Sequence, residues 1–189
     1  MLSSIEALAR RAVALDGSDA EAHSWLGLIL FLLGDYKGGL AEIERGLSLS
    51  PNLAIAHGIL GFALIWSERP KDGLVALQKY FRLDPRDPSV GALLAQVAVG
   101  HYYSREYEAA VEAAEQAIRA NPDFPVSRFW LPAALGQLGR TAEAREALEK
   151  AIAIGPRLFD VYVRQHVAPF RAEDYAHMLE GLRKAGWTG

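Results

Sequence analysis

The chain has 189 residues, 51% of them hydrophobic and 23% charged, enough apolar side chain for a packed core. Its formal net charge is −3, which argues against nucleic-acid binding. The absence of cysteine excludes disulfides, thiolate metal sites and cysteine nucleophiles. The longest apolar run, Trp25 to Leu33, is too short to span a bilayer. Glu6 and the Arg10–Arg11 pair interrupt what a secretory signal would need as an unbroken apolar stretch. A soluble, cytoplasmic protein without a membrane partner is expected.

The first element is an amphipathic helix over 3–15, followed by a turn at Asp16–Asp19. Its apolar residues Ile5, Leu8, Ala12 and Leu15 have no obvious cover. Residues 1–19 therefore read as the second helix of a repeat whose first helix lies outside the chain, with a sticky end open to homodimerisation.

From residue 20 the sequence repeats. Apolar-periodic segments run into Pro51, Pro85, Pro122 and Pro156, at steps of 34, 37 and 34 residues. These steps define units 20–53, 54–87, 91–124 and 125–158, and the extra Pro88–Val90 falls at one junction. Small residues recur at fixed slots: Gly27 and Gly61, then Ala98; Gly39 and Gly73, then Ala110 and Ala144. Helices are expected at 20–33, 36–49, 54–67, 70–83, 88–103, 106–120, 125–138 and 141–154. Asp87 is expected to cap a helix with Pro88 in its first turn. Pro70 suits a first turn too, whereas Pro132 falls inside a helix and should kink it. Leu60 and Leu131 are expected in the core.

This pattern resembles the tetratricopeptide repeat (TPR), a helix–turn–helix unit of 34 residues. The resemblance covers 20–158, with departures at Pro132, at Tyr80 and at His23 and His57. It implies an all-α, right-handed superhelical solenoid of antiparallel helix pairs that binds proteins and catalyses nothing.

The remaining residues, 159–189, read as a divergent capping helix pair. A short helix over 158–167 is broken at Ala168–Phe170, and an amphipathic helix over 172–185 stops at Gly186. The closing phrase MLEGLRKAG resembles the end of TPR arrays in bacterial class III adenylate and guanylate cyclase-type signalling proteins. That resemblance implies an alternative role as the regulatory C-terminal region of such an enzyme, its catalytic domain lying upstream.

No motif for phosphate cradling, nucleophilic catalysis or zinc binding occurs, so catalytic, cofactor and metal sites are all expected to be none. The five histidines, at positions 23, 57, 101, 166 and 177, lack ligand spacing and read as packing or surface residues. In TPR arrays the concave groove is lined by set slots of each first helix. The resemblance places Ser24, Leu28, Phe31 and Leu32 there, then Phe62, Ile65 and Trp66, then Val99, Tyr102 and Tyr103, and finally Phe129 and Gln137. These slots lack the Lys, Arg and Asn set that grips a peptide's terminal carboxylate. They are apolar and aromatic, and three occupants remain open: an apolar peptide or helix from a partner or from another domain of the parent, a second copy, or the chain's own C-terminal helix.

Overall fold

A computed structural model describes residues 2–122, 124–164 and 172–189. Among these residues there is no β-strand. The helices are α1 (Leu2–Leu15), α2 (Ala20–Leu32), α3 (Tyr36–Leu49), α4 (Ala54–Ile65), α5 (Pro70–Leu83), α6 (Val90–Tyr103), α7 (Tyr107–Ala120), α8 (Trp130–Gln137), α9 (Thr141–Ile154), α10 (Pro156–Arg164) and α11 (Ala172–Lys184). The chain divides into two compact units, Met1–Arg86 and Asp87–Gly189. The division falls where the sequence inserts three residues into its repeat.

Within each unit, consecutive helices joined by short turns pack as antiparallel pairs. Small residues set how closely they approach. A Cβ on Gly27 would stand 2.6 Å from the Gly39 carbonyl oxygen, and one on Gly39 would stand 2.7 Å from that of Gly27. Gly61 and Gly73 repeat the arrangement between α4 and α5, at 3.0 and 2.7 Å. Ala98 and Ala110 hold the same slots in α6 and α7, both buried. Around these crossings the N-terminal unit buries Leu26, Leu30, Ile43, Leu64, Leu77 and Tyr80. The C-terminal unit buries Ala113, Ala114, Leu135, Leu148, Met178 and Leu182.

Caps and turns follow the local sequence. Asp19 accepts from the amides of Glu21 and Ala22, closing the start of α2, and Asp35 accepts from Gly38 at the start of α3. Asp16 accepts from Ser18, and those hydrogen bonds hold its carboxyl below the usual carboxylate range. The turn inside each helix pair uses one residue at positive φ, and the slot recurs: Gly34 at 93°, Glu68 at 65°, Arg105 at 63° and Gly139 at 72°. Gly186, at φ 99°, ends α11, and the Trp187 amide donates back to the Leu182 carbonyl.

Four expectations are corrected. Pro132 does not kink a long helix. The span 125–138 splits into a 3-10 turn, Pro125–Arg128, and α8, so Pro132 lies in the first turn of α8. A first-turn residue needs no intrahelical N–H, and the preceding residues tighten, with Phe129 donating to Val126 at 3.1 Å. Asp87 and Pro88 sit in a turn ahead of α6, whose cap is Ser89; the Asp87 carboxylate accepts from the Ser89 amide. Pro156 opens α10 rather than only following α9. Leu60 and Leu131 are half-buried, the latter packed on Ala98, Ala113 and Ala114. The expected break at Ala168–Phe170 lies outside the described residues, as does His166.

On α1, Ile5, Leu8 and Leu15 are 42%, 67% and 80% exposed, the uncovered apolar face the sequence implies.

A Cβ at Gly34 or Gly139 would meet nothing within 4 Å, so substitution there acts through backbone conformation alone. Gly34→Ala and Gly139→Ala are each expected to cost about 1–2 kcal/mol in urea unfolding of the full chain. No loss in either would show that these turns tolerate a negative φ.

Candidate functional site: the groove face

The structure places the expected groove residues in two unlike settings, one in each unit. In the N-terminal unit Phe31 is fully buried. Its ring meets Tyr36 edge-on at 4.9 Å and Phe62 at 6.0 Å, and Phe62 tilts against Trp66 at 6.1 Å. Ser24 is buried and donates to the Ala20 carbonyl at 2.7 Å within its own helix, so it presents nothing to a ligand. Ile65 and Trp66 are buried as well. Leu28 and Phe62 are half-buried, and Leu32 is exposed. Leu33 and Tyr36 join Leu32 in exposing large apolar surface around the end of α2 and the start of α3, and Trp25 does so two turns earlier on α2.

In the C-terminal unit the groove is closed by the chain's own last two helices. Phe129 is 1% exposed, packed edge-on to Phe159 at 5.4 Å and tilted against Tyr162 at 5.2 Å, both from α10. The Trp130 indole N–H donates to the Tyr162 hydroxyl at 3.2 Å. Tyr103 is half-buried, its ring edge-on to Trp130 at 5.4 Å. Val99 and Tyr102 are buried.

Helix α11 lies along the groove face of α8 at backbone contact. A Cβ on Gly136 would fall 2.1 Å from the Gly181 carbonyl oxygen. A Cβ on Gly181 would fall 2.6 Å from the Ala133 carbonyl oxygen and 2.7 Å from the Tyr102 hydroxyl. Val99, Tyr102 and Phe129, expected to line an open groove, are therefore core residues: intramolecular helices already satisfy their apolar surface.

A polar seam runs along this contact. The Tyr102 hydroxyl donates to the His177 carbonyl at 2.9 Å, and Lys184 donates to Gln137 Oε1 at 2.8 Å. That contact fixes the carboxamide, so Gln137 Nε2 faces the Tyr102 hydroxyl, His177 Nδ1 and the His177 carbonyl at 3.3–3.4 Å. A carboxamide nitrogen only donates and the Glu180 carboxylate, 3.5 Å from the same Nδ1, only accepts, so the two compete for that ring nitrogen. His177 Nε2 lies 3.1 Å from the Tyr107 hydroxyl, which can give or take the hydrogen. Burial pushes the Tyr102 hydroxyl far above its ordinary pKa, so it stays a donor.

Sequence reasoning missed Tyr107, His177, Tyr162 and Gly181. A glycine at a groove slot, Gly136, matched by another on the tail helix was the available signal.

The equivalent histidines serve packing. His57 Nε2 donates to the Pro51 carbonyl at 2.9 Å, and His23 Nε2 stands 3.2 Å from the Gly17 carbonyl, the same position one repeat earlier. His23 Nδ1 also lies 2.6 Å from Glu42. Among the described residues no group of three or more histidine, aspartate or glutamate side chains could hold a metal ion. No described helix is long and apolar enough to cross a membrane.

The tetratricopeptide-repeat family pattern matches residues 3–54 and 98–158, more than half of the chain. The chain belongs to the tetratricopeptide-repeat family. A TPR chain of this kind is all-α, and the repeat is typically a non-catalytic protein-interaction module. Solved structures agree on the TPR fold. PilW, a widely conserved type IV pilus biogenesis factor, has a TM-score of 0.75 at 17% identity, covering 98% of this chain and 81% of that one. A thermophilic TPR protein of Thermus thermophilus scores 0.71 at 22% identity, covering 94% and 90%. YrrB, described as a TPR protein with an unusual peptide-binding site, scores 0.63 at 18% identity, covering 94% and 90%. In sequence the chain is 27% identical over 143 residues to anaphase-promoting complex subunit 7 of Dictyostelium discoideum. The match takes in 75% of this chain, which spans about a quarter of that relative's length (24%).

The seam is expected to make the C-terminal unit sensitive to pH. Burial lowers the pKa of His177, and the Arg105 guanidinium lowers it further, against the opposing pull of Glu180 and Asp174. Tyr102 and Tyr107 face the ring from α6 and α7, Gln137 from α8, and all three are uncharged near neutrality. A lowered folded-state pKa means the unfolded chain takes up the proton first. The contribution is whole above the ordinary value of about 6.5 and is lost as pH falls through the lowered one. The melting temperature is expected to drop between pH 7 and pH 5 by more in the native chain than in His177→Gln. The lowered pKa of His57 is common to both proteins and cancels. Superimposable profiles would remove His177 as the sensor.

Proposed function

We propose that this chain is a non-catalytic scaffold whose N-terminal unit docks an apolar, amphipathic peptide or helix from a protein partner or from another domain of its parent. Family membership supports the interaction role. The observation that carries the finer reading is the exposure of Trp25, Leu32, Leu33 and Tyr36 on the helix pair that also carries half-buried Leu28. Soluble proteins seldom leave such surface uncovered unless something binds there. The peptide-binding site named for YrrB is a property of that protein, and its presence here is part of the proposal. The uncovered α1 face supports a homodimer as a further use of the same end. The organisation proposed for the chain is four repeats over 20–158 followed by a divergent closing pair.

A second reading rests on the phrase MLEGLRKAG, which forms most of α11. It makes the chain the C-terminal regulatory region of a cyclase-type signalling protein. Sequence upstream encoding an α/β domain with two spaced aspartates would support that reading, and a parent without one would end it.

Peptides selected from a displayed library on the full chain are expected to be apolar and amphipathic. Leu32→Asp with Leu33→Asp should weaken the best of them at least tenfold while leaving the melting temperature within a few degrees, because both side chains are exposed. Unchanged affinity in that double variant would refute docking at this end of α2.

A further inference from the structure

The C-terminal unit holds a helix-binding seat whose selectivity is set by main chain rather than by side chains. The seat is the groove face of α8, and α11 rests chiefly on it, touching α9 only lightly. At the crossing, Gly136 and Gly181 bring the two backbones together so closely that any side chain at either position strikes peptide atoms. Because Gly181 has no Cβ, the Tyr102 hydroxyl reaches past it to the carbonyl of His177, one turn earlier on α11. The seat thus accepts a helix with glycine at one place, a carbonyl four residues before it, and Met178, Leu182 and Ala185 as the apolar face.

Those contacts depend on the sequence of the helix and not on which chain supplies it. α11 of a second copy satisfies them identically, with the same glycine crossing and the same seam of Tyr102, Gln137 and His177. Exchange of identical elements between protomers conserves every contact and costs mainly the entropy of association.

We propose that α11 is an exchangeable ligand of the C-terminal unit and that the partner fitting its seat in trans is α11 of a second copy of this chain. The proposal is independent of docking at the N-terminal unit, since it uses none of those residues.

Two variants of the chain separate the helix from its seat. Gly136→Leu blocks the seat and leaves α11 intact. Gly181→Leu spoils α11 and leaves the seat intact. Each alone is expected to fold and to run as a monomer of about 20.7 kDa by multi-angle light scattering. Mixed in equal amounts, they are expected to form a one-to-one dimer of twice that mass, because α11 of the first variant fills the seat of the second. A tenfold excess of a synthetic peptide spanning 172–187 should return the mixture to monomers. Folded variants that stay monomeric together would overturn the proposal, because α11 would then act only on its own chain. Dimers formed by either variant alone, or dimers that survive the peptide, would place the contact elsewhere and overturn it too. Loss of cooperative melting in either variant, followed by circular dichroism, would make α11 an inseparable part of the core and would likewise overturn it.

Discussion

The close approach of backbones at small-residue slots is the constraint from which the rest of this molecule follows. A helix pair crossing at Gly27 and Gly39, or at Gly61 and Gly73, leaves no room for a single methyl group between the chains. That proximity fixes which faces of the two helices meet and turns the remaining apolar stripe of each first helix outward. The stripe must then be covered by the next pair, by a terminal helix or by a partner. A groove face is what this geometry leaves over in each unit, and the two units show two ways of dealing with it.

In the C-terminal half the same device is used once more, between helices distant in sequence. Gly136 and Gly181 repeat the glycine contact, α11 takes up the surface that Tyr102 would otherwise expose, and α10 takes up that of Phe129. A seam containing a hydroxyl, a carboxamide and an imidazole is costlier to bury than a row of leucines, and it works only while each donor finds an acceptor. In the N-terminal half no described helix plays this part, and leucine, tyrosine and tryptophan side chains remain in contact with water. One unit thus carries a finished groove face and the other an unfinished one.

Local features of the fold were legible in the sequence. The spacing of four prolines and of the small slots set the helix pairs nearly residue by residue, and Gly186 marked the end of α11. Pro132 was misplaced because the repeat suggested a longer first helix than proline's missing N–H allows, and Asp87–Pro88 because the turn held by Asp87 delays the start of α6 to Val90. The groove was legible as a list of slots but not as a surface. Helical periodicity shows that α11 has an apolar face and that α8 has an apolar stripe. It does not say that the two are each other's complement, since that is decided by the match of two glycines 45 positions apart. The histidines were correctly read as packing groups in two cases. The place of His177 in the seam was not legible, because its setting is built from four different helices.

The turns inside the helix pairs bear on how such a chain can change. At Gly34 and Gly139 the backbone bends outward into open space, with no neighbouring atom close enough to meet even a methyl group. Nothing in the core depends on what the chain carries at those corners beyond its reversal of direction. Extra residues inserted there would project into solvent, and the helices on either side would keep their crossing. The architecture therefore offers points of growth at its corners, where a loop, a modification site or an entire domain can be accommodated without disturbing the register that holds the pairs together.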